Sequence, residues 1–382
     1  MYLFSKATII FNRLNIDSYF GLIMIQCFLS FCTGMLVYYT VKKMNGNKSN
    51  ALFAWLTYQM LVGLSPWVSI PYSDSVALLF PVLVLFLYMQ SDSLHNWIYE
   101  GLLFISIGFL SVIGYKIKPQ VIITIIAIVI LYFEHIVMTK QKERIRRISV
   151  QIGGILLGGI FAFGVAFVAV DSMNLNLDKN QAFGLTHFMM MGMNYSEGPE
   201  GNGVFNPDDY YYSASFDTVQ ERTDANIKMI QQRISEMKGK GLVHLMHRKV
   251  LTNYNDGTFC WGGEGQFFVE KKSTAASQFA EFLRNIYYRN GWNGKYSDVF
   301  VNVETGLWLA ILVFGFLNIF NAQKNQQISI IMLSLVGLTI FEMIFEARAR
   351  YLYIYAPFYV ILATEGISGI KKLKFLKIFA KR

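Results

Sequence analysis

Charged side chains are scarce in this sequence. Asp, Glu, Lys and Arg make up only 15% of the 382 residues, whereas hydrophobic residues make up 54%. Soluble domains typically carry about 25% charged residues, so this balance excludes an ordinary soluble enzyme. The apolar residues occur in runs of about 17 to 22, long enough to cross a bilayer core of roughly 30 Å. A polytopic membrane protein is therefore expected.

Cysteine is also scarce, and the motifs of several common chemistries are missing. Cys27 and Cys32 lie in one apolar run at a spacing that places them on different helix faces, and Cys260 stands alone. This pattern supports neither a disulfide framework nor a metal site. No phosphate loop, nucleotide-sugar motif, zinc signature or hydrolase elbow occurs. The sequence thus predicts no cofactor and gives no support for a divalent metal.

The positive charge is placed as in a membrane protein. The net charge of +9 is concentrated in short loops and in the C-terminal tail, which does not indicate a nucleic-acid partner. We predict an all-α polytopic membrane protein with about nine transmembrane helices and one mostly helical extracytoplasmic insert. The predicted spans lie near residues 19–41, 52–67, 73–89, 97–113, 119–138, 150–170, 305–320, 328–345 and 351–370.

These spans divide the chain into three parts. Residues 1–171 form an N-terminal bundle of six spans, residues 172–303 an extracytoplasmic domain, and residues 304–382 three spans with a basic tail. The loops after spans one, three, five and seven, together with the tail, hold more than twice as many Lys and Arg as the other short segments. The positive-inside rule therefore places the tail in the cytoplasm, and the N-terminus and the insert outside.

Local patterns predict some details of packing. The sixth span is rich in glycine, which favours close approach of a second helix. Within the insert, helices are predicted over Thr218–Met237 behind Asp217 as N-cap, over Gly241–Leu251 and over Ala275–Tyr288.

The segment from Phe345 to Pro357 lies between two long apolar runs and carries clustered charge. Glu346, Arg348 and Arg350 occupy five residues. An unpaired charge near hydrocarbon costs on the order of 3 kcal/mol, so such a cluster is a candidate functional site. If the preceding helix continues, Glu342 shares a face with Glu346 and Arg350. The paired arginines suit an anion clamp, although an ordinary hydrophilic hairpin is the alternative.

Further polar groups are expected on the same outer face, namely Asp74, Lys116 and Lys118. Asp74 also suits a helix cap, and the two lysines also suit snorkelling towards lipid headgroups. Cations to hold a phosphate, a carboxylate beside an acceptor hydroxyl and aromatic faces for a sugar are what transfer from a lipid-linked phosphate requires. His187 beside its methionine run is predicted to pack, and Asp208-Asp209 to form a solvated turn.

The chain resembles the lipid-dependent glycosyltransferases of the GT-C superfamily, such as protein O-mannosyltransferases and the aminoarabinose transferase of lipid A. The resemblance runs from about residue 18 onward and includes a large outer loop before the last spans. Its motifs are Glu346-x-Arg348-x-Arg350-Tyr351-Leu352 ahead of Pro357, Tyr72-Ser73-Asp74-Ser75 at the start of one span, and Tyr115-Lys-Ile-Lys118-Pro119 at the start of another.

The resemblance implies inverting transfer of a hexose or pentose. The donor would be a polyprenyl-phosphate sugar, and the acceptor a hydroxyl on a cell-envelope polymer, lipid or protein at the outer face of a bacterial plasma membrane. It implies donor-phosphate binding by Arg350, Arg348, Lys118 and Lys116, orientation by Glu346 and Tyr351, and a supporting carboxylate at Asp74.

The sequence departs from that superfamily at its N-terminal end. The catalytic base of these enzymes is an aspartate in the first outer loop, and this chain begins after the place where that loop belongs. We therefore expect the first span and the first outer loop to be missing, and the chain to be inactive alone. Asp17 abuts its span and is not expected to replace the base.

Two other functions remain open from the sequence. An envelope polysaccharide polymerase or ligase also combines many spans with one large outer loop, and it would depend on arginines of that loop, here Arg222, Arg233 and Arg248. A non-enzymatic transporter of lipid-linked sugar would need charges near mid-membrane, and the spans carry few.

Overall fold

The computed structural model describes residues 2–138, 142–174, 178–196, 202–265, 277–288, 295–320 and 325–372. These residues form helices and turns, and no strand occurs among them. The α-helices are α1 (Tyr2–Arg13), α2 (Ser18–Asn45), α3 (Lys48–Tyr58), α4 (Ser73–Ala77), α5 (Leu79–Gln90), α6 (Trp97–Ile117), α7 (Ile122–Met138), α8 (Lys142–Asp171), α9 (Leu185–Gly192), α10 (Pro207–Ala214), α11 (Val219–Tyr254), α12 (Trp261–Glu264), α13 (Gln278–Tyr287), α14 (Ser297–Phe316), α15 (Gln326–Ile344) and α16 (Ala356–Lys372).

Seven helical segments of the described chain are long and apolar enough to cross a membrane. They confirm that the chain is an all-α, polytopic membrane protein. These segments are Ser18–Asn45, Ser73–Ser93, Trp97–Ile117, Pro119–Met138, Lys142–Asp171, Ser297–Ile319 and Gln326–Ile344.

The predicted second and ninth spans correspond to shorter helices, so the count of nine spans stays a prediction. Helix α3 has 11 residues and runs into a π-helical turn, Gln59–Gly63, before Pro66. Helix α16 has 17 residues and follows a 3₁₀ helix, Ala349–Tyr355. Its first ten residues are all buried, because α2, α3, α14 and α15 surround it. Helix α16 is thus the centre of the bundle.

The ends of the long helices meet at two opposite ends of the bundle. At the first, which we call the basic end, the Lys43 ammonium donates to Gln90 (2.8 Å) and the Asn45 amide donates to Glu365 (2.9 Å). At the second, the insert end, the Trp67 indole N–H donates to the carbonyl of Phe259 (3.0 Å). These contacts are those expected if successive spans alternate in direction.

The glycine-rich helix α8 packs closely on α6, as its composition predicts. A Cβ on Gly158 would lie 1.9 Å from the carbonyl oxygen of Ile105, and one on Gly108 of α6 would lie 2.1 Å from the carbonyl oxygen of Ile155. Because only a hydrogen fits at these positions, the two backbones are in contact. By contrast, a Cβ on Gly153 would meet nothing within 4 Å.

The α6–α8 contact gives a matched pair of substitutions. We expect Gly158→Ala to lower the free energy of unfolding by about 1–3 kcal/mol, because the added methyl forces the helices apart. Gly153→Ala should leave stability unchanged or slightly higher, since alanine favours helix. Thermal unfolding of both variants in the same detergent measures the difference, and equal melting temperatures would contradict the close packing.

The described part of the insert is helical, with one correction to the sequence prediction. Helix α11 consists of two helices that meet at a kink at Lys238 (φ 54°, ψ −172°), which agrees with the two helices predicted on either side of this residue. Its N-cap is Thr218, where Asp217 was predicted. The Thr218 hydroxyl accepts from the backbone N–H of Glu221, whose carboxylate accepts from the Thr218 N–H, and this reciprocal pair fixes the start.

Candidate functional site

A buried carboxylate, Asp74, joins two of the predicted site segments. Asp74 is 2% exposed and lies in the short helix α4. The Lys118 ammonium is 3.0 Å from its Oδ1, and Nε of Arg350 is 3.8 Å from its Oδ2. The N-cap position of α4 belongs to Tyr72, so Asp74 does not cap the helix. Its carboxylate instead holds two cations from distant parts of the chain.

Arg350 is surrounded by a carboxylate and aromatic rings. Its Nη1 is 2.9 Å from Oε2 of Glu264, and its Nη2 donates to the Tyr72 hydroxyl (3.3 Å). The guanidinium carbon lies 4.6 Å from the ring centroid of Tyr72 and 5.3 Å from that of Trp67. Stacking of this kind holds an arginine in place while its outer N–H groups remain directed at an anion.

Arg348 shares the same carboxylate. Its Nε is 2.5 Å from Oε1 of Glu264, so one side chain bridges both arginines. The Nη1 of Arg348 is also 4.0 Å from Glu346, whose other carboxylate oxygen accepts from the Tyr351 hydroxyl (3.3 Å). The predicted residues Arg348, Arg350, Glu346 and Tyr351 therefore form one cluster.

The helical face predicted for Glu342, Glu346 and Arg350 is wrong. Helix α15 ends at Ile344, and Phe345 is extended (φ −96°, ψ −177°), so Glu346 is not one turn beyond Glu342. The insert crosses at this point, because a Cβ on Gly192 would lie 2.5 Å from the backbone of Phe345. This crossing leaves no room for a further helical turn.

Lys249 of helix α11 caps the end of α15. The side chain is fully buried, and its ammonium donates to the carbonyls of Gly192 (2.9 Å), Met343 (2.8 Å) and Phe345 (2.5 Å). Burial lowers the pKa of Lys249 to about 8, although nearby glutamates oppose the shift. The sequence gives no sign of this role, because a lysine on a hydrophilic helix usually faces water.

Removal of the Lys249 ammonium tests this capping role. We expect Lys249→Met to lower the free energy of unfolding by about 1–3 kcal/mol or more, because three buried carbonyls lose their donor. Lys228→Met is the control, since Lys228 is exposed on the same helix. Thermal unfolding in detergent measures both variants. Equal stability of the two would show that the carbonyls do not depend on Lys249.

A cavity of about 160 Å³ lies beside the cluster. Lys118 and Glu346 supply its charged groups, and most of the remaining wall is apolar. The lining residues are Lys118, Pro119, Gln120, Leu185, Phe188, Phe341, Phe345, Glu346 and Tyr351. Lys116 does not join the site, because its exposed ammonium lies 4.5 Å from the ring centroid of Phe163 on helix α8. Of the two predicted lysines, Lys118 lies at the site and Lys116 lies outside it.

The charges of the cluster nearly balance. Its cations are Lys118, Arg348 and Arg350, and its carboxylates are Asp74, Glu264 and Glu346. Burial raises the pKa of Glu346, although Arg348 opposes that shift. Glu346 therefore gains a proton at a higher pH than an ordinary glutamate does.

The polar residues of the insert that are candidates from the sequence make their contacts among the described residues of the insert and not with the cluster. The Arg222 guanidinium donates to four backbone carbonyls, those of Asn180, Ala182, Ser213 and Phe216. Arg248 donates to His244. Arg233 pairs with Asp209 (2.5 Å), so Asp209 is buried in an ion pair and the prediction of a solvated turn is wrong there.

His187 packs as predicted. It is buried, lies near the rings of Phe183 and Phe188, and shares a hydrogen bond with the Ser213 hydroxyl (2.8 Å). Within the described ranges, no group of three or more His, Cys, Asp or Glu side chains is placed to hold a metal ion.

The fold and this buried charge cluster define an integral membrane protein with a polar site at the insert end of its helical bundle. The chain belongs to the family described as "Conserved hypothetical integral membrane protein", whose model matches residues 13–369. No match was found among curated proteins or among solved structures.

Proposed function

We propose that this protein is a glycosyltransferase that moves a sugar from a polyprenyl-phosphate donor to a hydroxyl of a cell-envelope acceptor. The observation that carries the proposal is the convergence of Asp74, Lys118, Arg348 and Arg350. These residues come from segments far apart in the sequence, yet two of the three cations share one carboxylate and all four lie in one cluster. Buried charges within a membrane bundle are costly, so such a cluster is retained for function.

The donor phosphate is proposed to bind the cations of the cluster. Arginine presents paired N–H groups that match phosphate oxygens, and lysine adds a compact charge. Arg348 is the most open of the three cations, with 30% of its side chain exposed, compared with 9% for Arg350 and 15% for Lys118. The phosphate would therefore enter on the Arg348 side.

The polyprenyl chain is proposed to lie along the apolar wall of the adjoining cavity. Phe188, Phe341 and Phe345 supply that wall, and Lys118 stands at its polar part. An isoprenoid chain needs apolar surface that continues into the bilayer, and a phosphate needs cations at the end of that surface. The cavity and the cluster provide these two surfaces side by side.

The transfer step follows from this placement. The acceptor hydroxyl oxygen attacks the anomeric carbon on the face opposite the phosphate, and the bond from that carbon to the phosphate oxygen breaks. The electron pair leaves with the lipid phosphate, where the cations stabilise it. The aspartate that serves as base in the resembling enzymes is expected to be missing here, and without a substitute the chain would be inactive alone. Glu346 is proposed to take the hydroxyl proton in its place, because it lines the cavity and has a raised pKa. Asp74 is shared by two cations and positions them.

The distribution of charge favours an outward-facing site. The helix ends at the basic end carry Lys42, Lys43, Arg144, Arg146 and Arg147, which indicates the cytoplasmic side. The insert end then faces outside, where lipid-linked sugars are used in a bacterial plasma membrane.

A transporter of lipid-linked sugar is the second candidate, and Glu342 favours it. Glu342 lies in the membrane-spanning helix α15 and is completely buried, and an ionisable side chain buried within a span is typical of a transport pathway. The polymerase or ligase alternative has less support, since Arg222 and Arg233 already hold the insert together.

Phosphate binding is tested with Arg348→Ala. We expect this variant to bind a polyprenyl monophosphate about 10- to 100-fold more weakly in nanodiscs, because a charge-assisted hydrogen bond is worth about 1.5–3 kcal/mol. Lys116→Ala should bind it as tightly as the unchanged protein, since Lys116 faces Phe163. Equal affinities of the two variants would show that Arg348 does not bind the donor phosphate.

The proposed base is tested by the pH dependence of transfer. We expect the rate of transfer to rise with pH through a pKa above that of an ordinary glutamate, because Glu346 can act as a base only in its deprotonated form. Glu346→Gln should lower the rate by about 100-fold or more and abolish this rise. Glu143→Gln, at an exposed site on the basic end, should preserve both.

The alternatives predict different outcomes. If Arg233→Ala abolishes sugar transfer while Arg350→Ala leaves it intact, the polymerase or ligase reading replaces the proposal. If a lipid-linked sugar crosses the membrane of proteoliposomes and no covalent transfer is detected, the transporter reading replaces both.

A further inference from the structure

The two arginines proposed to bind the donor phosphate already hold an anion. Glu264 places one carboxylate oxygen 2.5 Å from Arg348 and the other 2.9 Å from Arg350. A carboxylate bridging two guanidinium groups uses the same N–H donors that a phosphate would use. The donor phosphate and Glu264 therefore cannot occupy these arginines together.

Glu264 lies at the end of a well-fixed turn. The Asp256 carboxylate accepts from the backbone N–H groups of Thr258 (2.8 Å) and Cys260 (2.7 Å). Phe259 and Cys260 have positive φ values of 52° and 69°, which non-glycine residues adopt only when their surroundings enforce it. The Trp67 indole also donates to the Phe259 carbonyl, so this turn is tied to the membrane bundle.

The two glycines beside Glu264 differ in their packing. A Cβ on Gly263 would meet nothing within 4 Å, whereas one on Gly265 would lie 2.7 Å from the ring of Trp261. Glycine reaches a wider range of backbone conformations than other residues. The side chain of Glu264 is 15% exposed, whereas that of Asp74 is only 3% exposed. Glu264 is thus the most exposed of the three cluster carboxylates, and the chain beside it has open space on the Gly263 side.

Charge gives a second, independent reason for exchange. With Glu264 in place, the three cations of the cluster face three carboxylates. Removal of Glu264 adds one further unit of positive charge beside Arg348. A phosphate monoester or diester carries one to two negative charges and would restore the balance.

We propose that Glu264 is an exchangeable internal anion that occupies the donor-phosphate subsite of the free protein and leaves when the lipid phosphate binds. This inference rests on the proposed function. In the absence of donor, Glu264 keeps two neighbouring guanidinium groups from repelling each other and excludes other anions. Donor binding then requires displacement of Glu264, so the apparent affinity is reduced by the fraction of molecules in which the arginines are occupied.

The experiment compares the unchanged protein with Glu264→Gln in nanodiscs. The probes are a long-chain polyprenyl monophosphate and the uncharged polyprenol of the same length. If Glu264 occupies the arginines in about nine molecules of ten, the variant binds the phosphate about tenfold more tightly, with polyprenol binding unchanged. Glu143→Gln serves as control and should bind as the unchanged protein does.

Two other outcomes separate this inference from the proposed function. In the first, the unchanged protein prefers the phosphate to the polyprenol and Arg348→Ala weakens phosphate binding, but Glu264→Gln binds the phosphate no more tightly than the unchanged protein. Glu264 is then a fixed anchor, and the proposed exchange is overturned. If neither Arg348→Ala nor Glu264→Gln alters phosphate binding relative to polyprenol, the arginines are not a phosphate site and both proposals fail.

Hydrogen exchange provides a test without any substitution. The Glu264 backbone N–H donates to the Cys260 carbonyl (2.8 Å), and this bond is lost if the segment turns away. We expect the peptide that contains Gly262–Gly265 to exchange faster with saturating polyprenyl phosphate than with polyprenol. Unchanged or slower exchange would overturn the displacement of Glu264.

Discussion

The central constraint on this structure is the cost of placing charge inside a membrane bundle. An isolated charge there is strongly unfavourable, and the bundle meets this constraint by sharing. Asp74 serves Lys118 and Arg350, and Glu264 serves Arg350 and Arg348. Each of these groups depends on residues from another part of the chain. The loops at the insert end are therefore held in one arrangement by their charges as much as by their apolar contacts.

This sharing also determines how the cluster can bind an anion. A set of paired charges is stable only while each partner is present, so an incoming anion has to replace an existing one and not simply add to it. The nearby aromatic rings of Trp67 and Tyr72 hold Arg350 by contacts that do not depend on its carboxylate partners. The arginine can keep its position during such a replacement because stacking and ion pairing act on different parts of the guanidinium.

Sequence patterns predicted the membrane class and many residues of the buried charge cluster. Long apolar runs reveal spans directly, and charges beside them stand out because they are rare there. Glu264 and Lys249 were missed, because a glutamate among glycines and a lysine on a polar helix look like solvated residues. The end of α15 was misjudged for a related reason: Gly192 and Lys249, more than 90 residues away in the sequence, decide where that helix stops. Short-range periodicity contains no information on such contacts.

The buried Lys249 has a consequence for the modularity of the protein. Its ammonium donates to the carbonyls of Gly192, Met343 and Phe345, and the last two lie at the end of a membrane helix. A severed insert would leave the ammonium with the Gly192 carbonyl alone, and the severed bundle would carry two carbonyls without their donor. Transplanting the insert onto another membrane scaffold would therefore require the matching helix end to move with it.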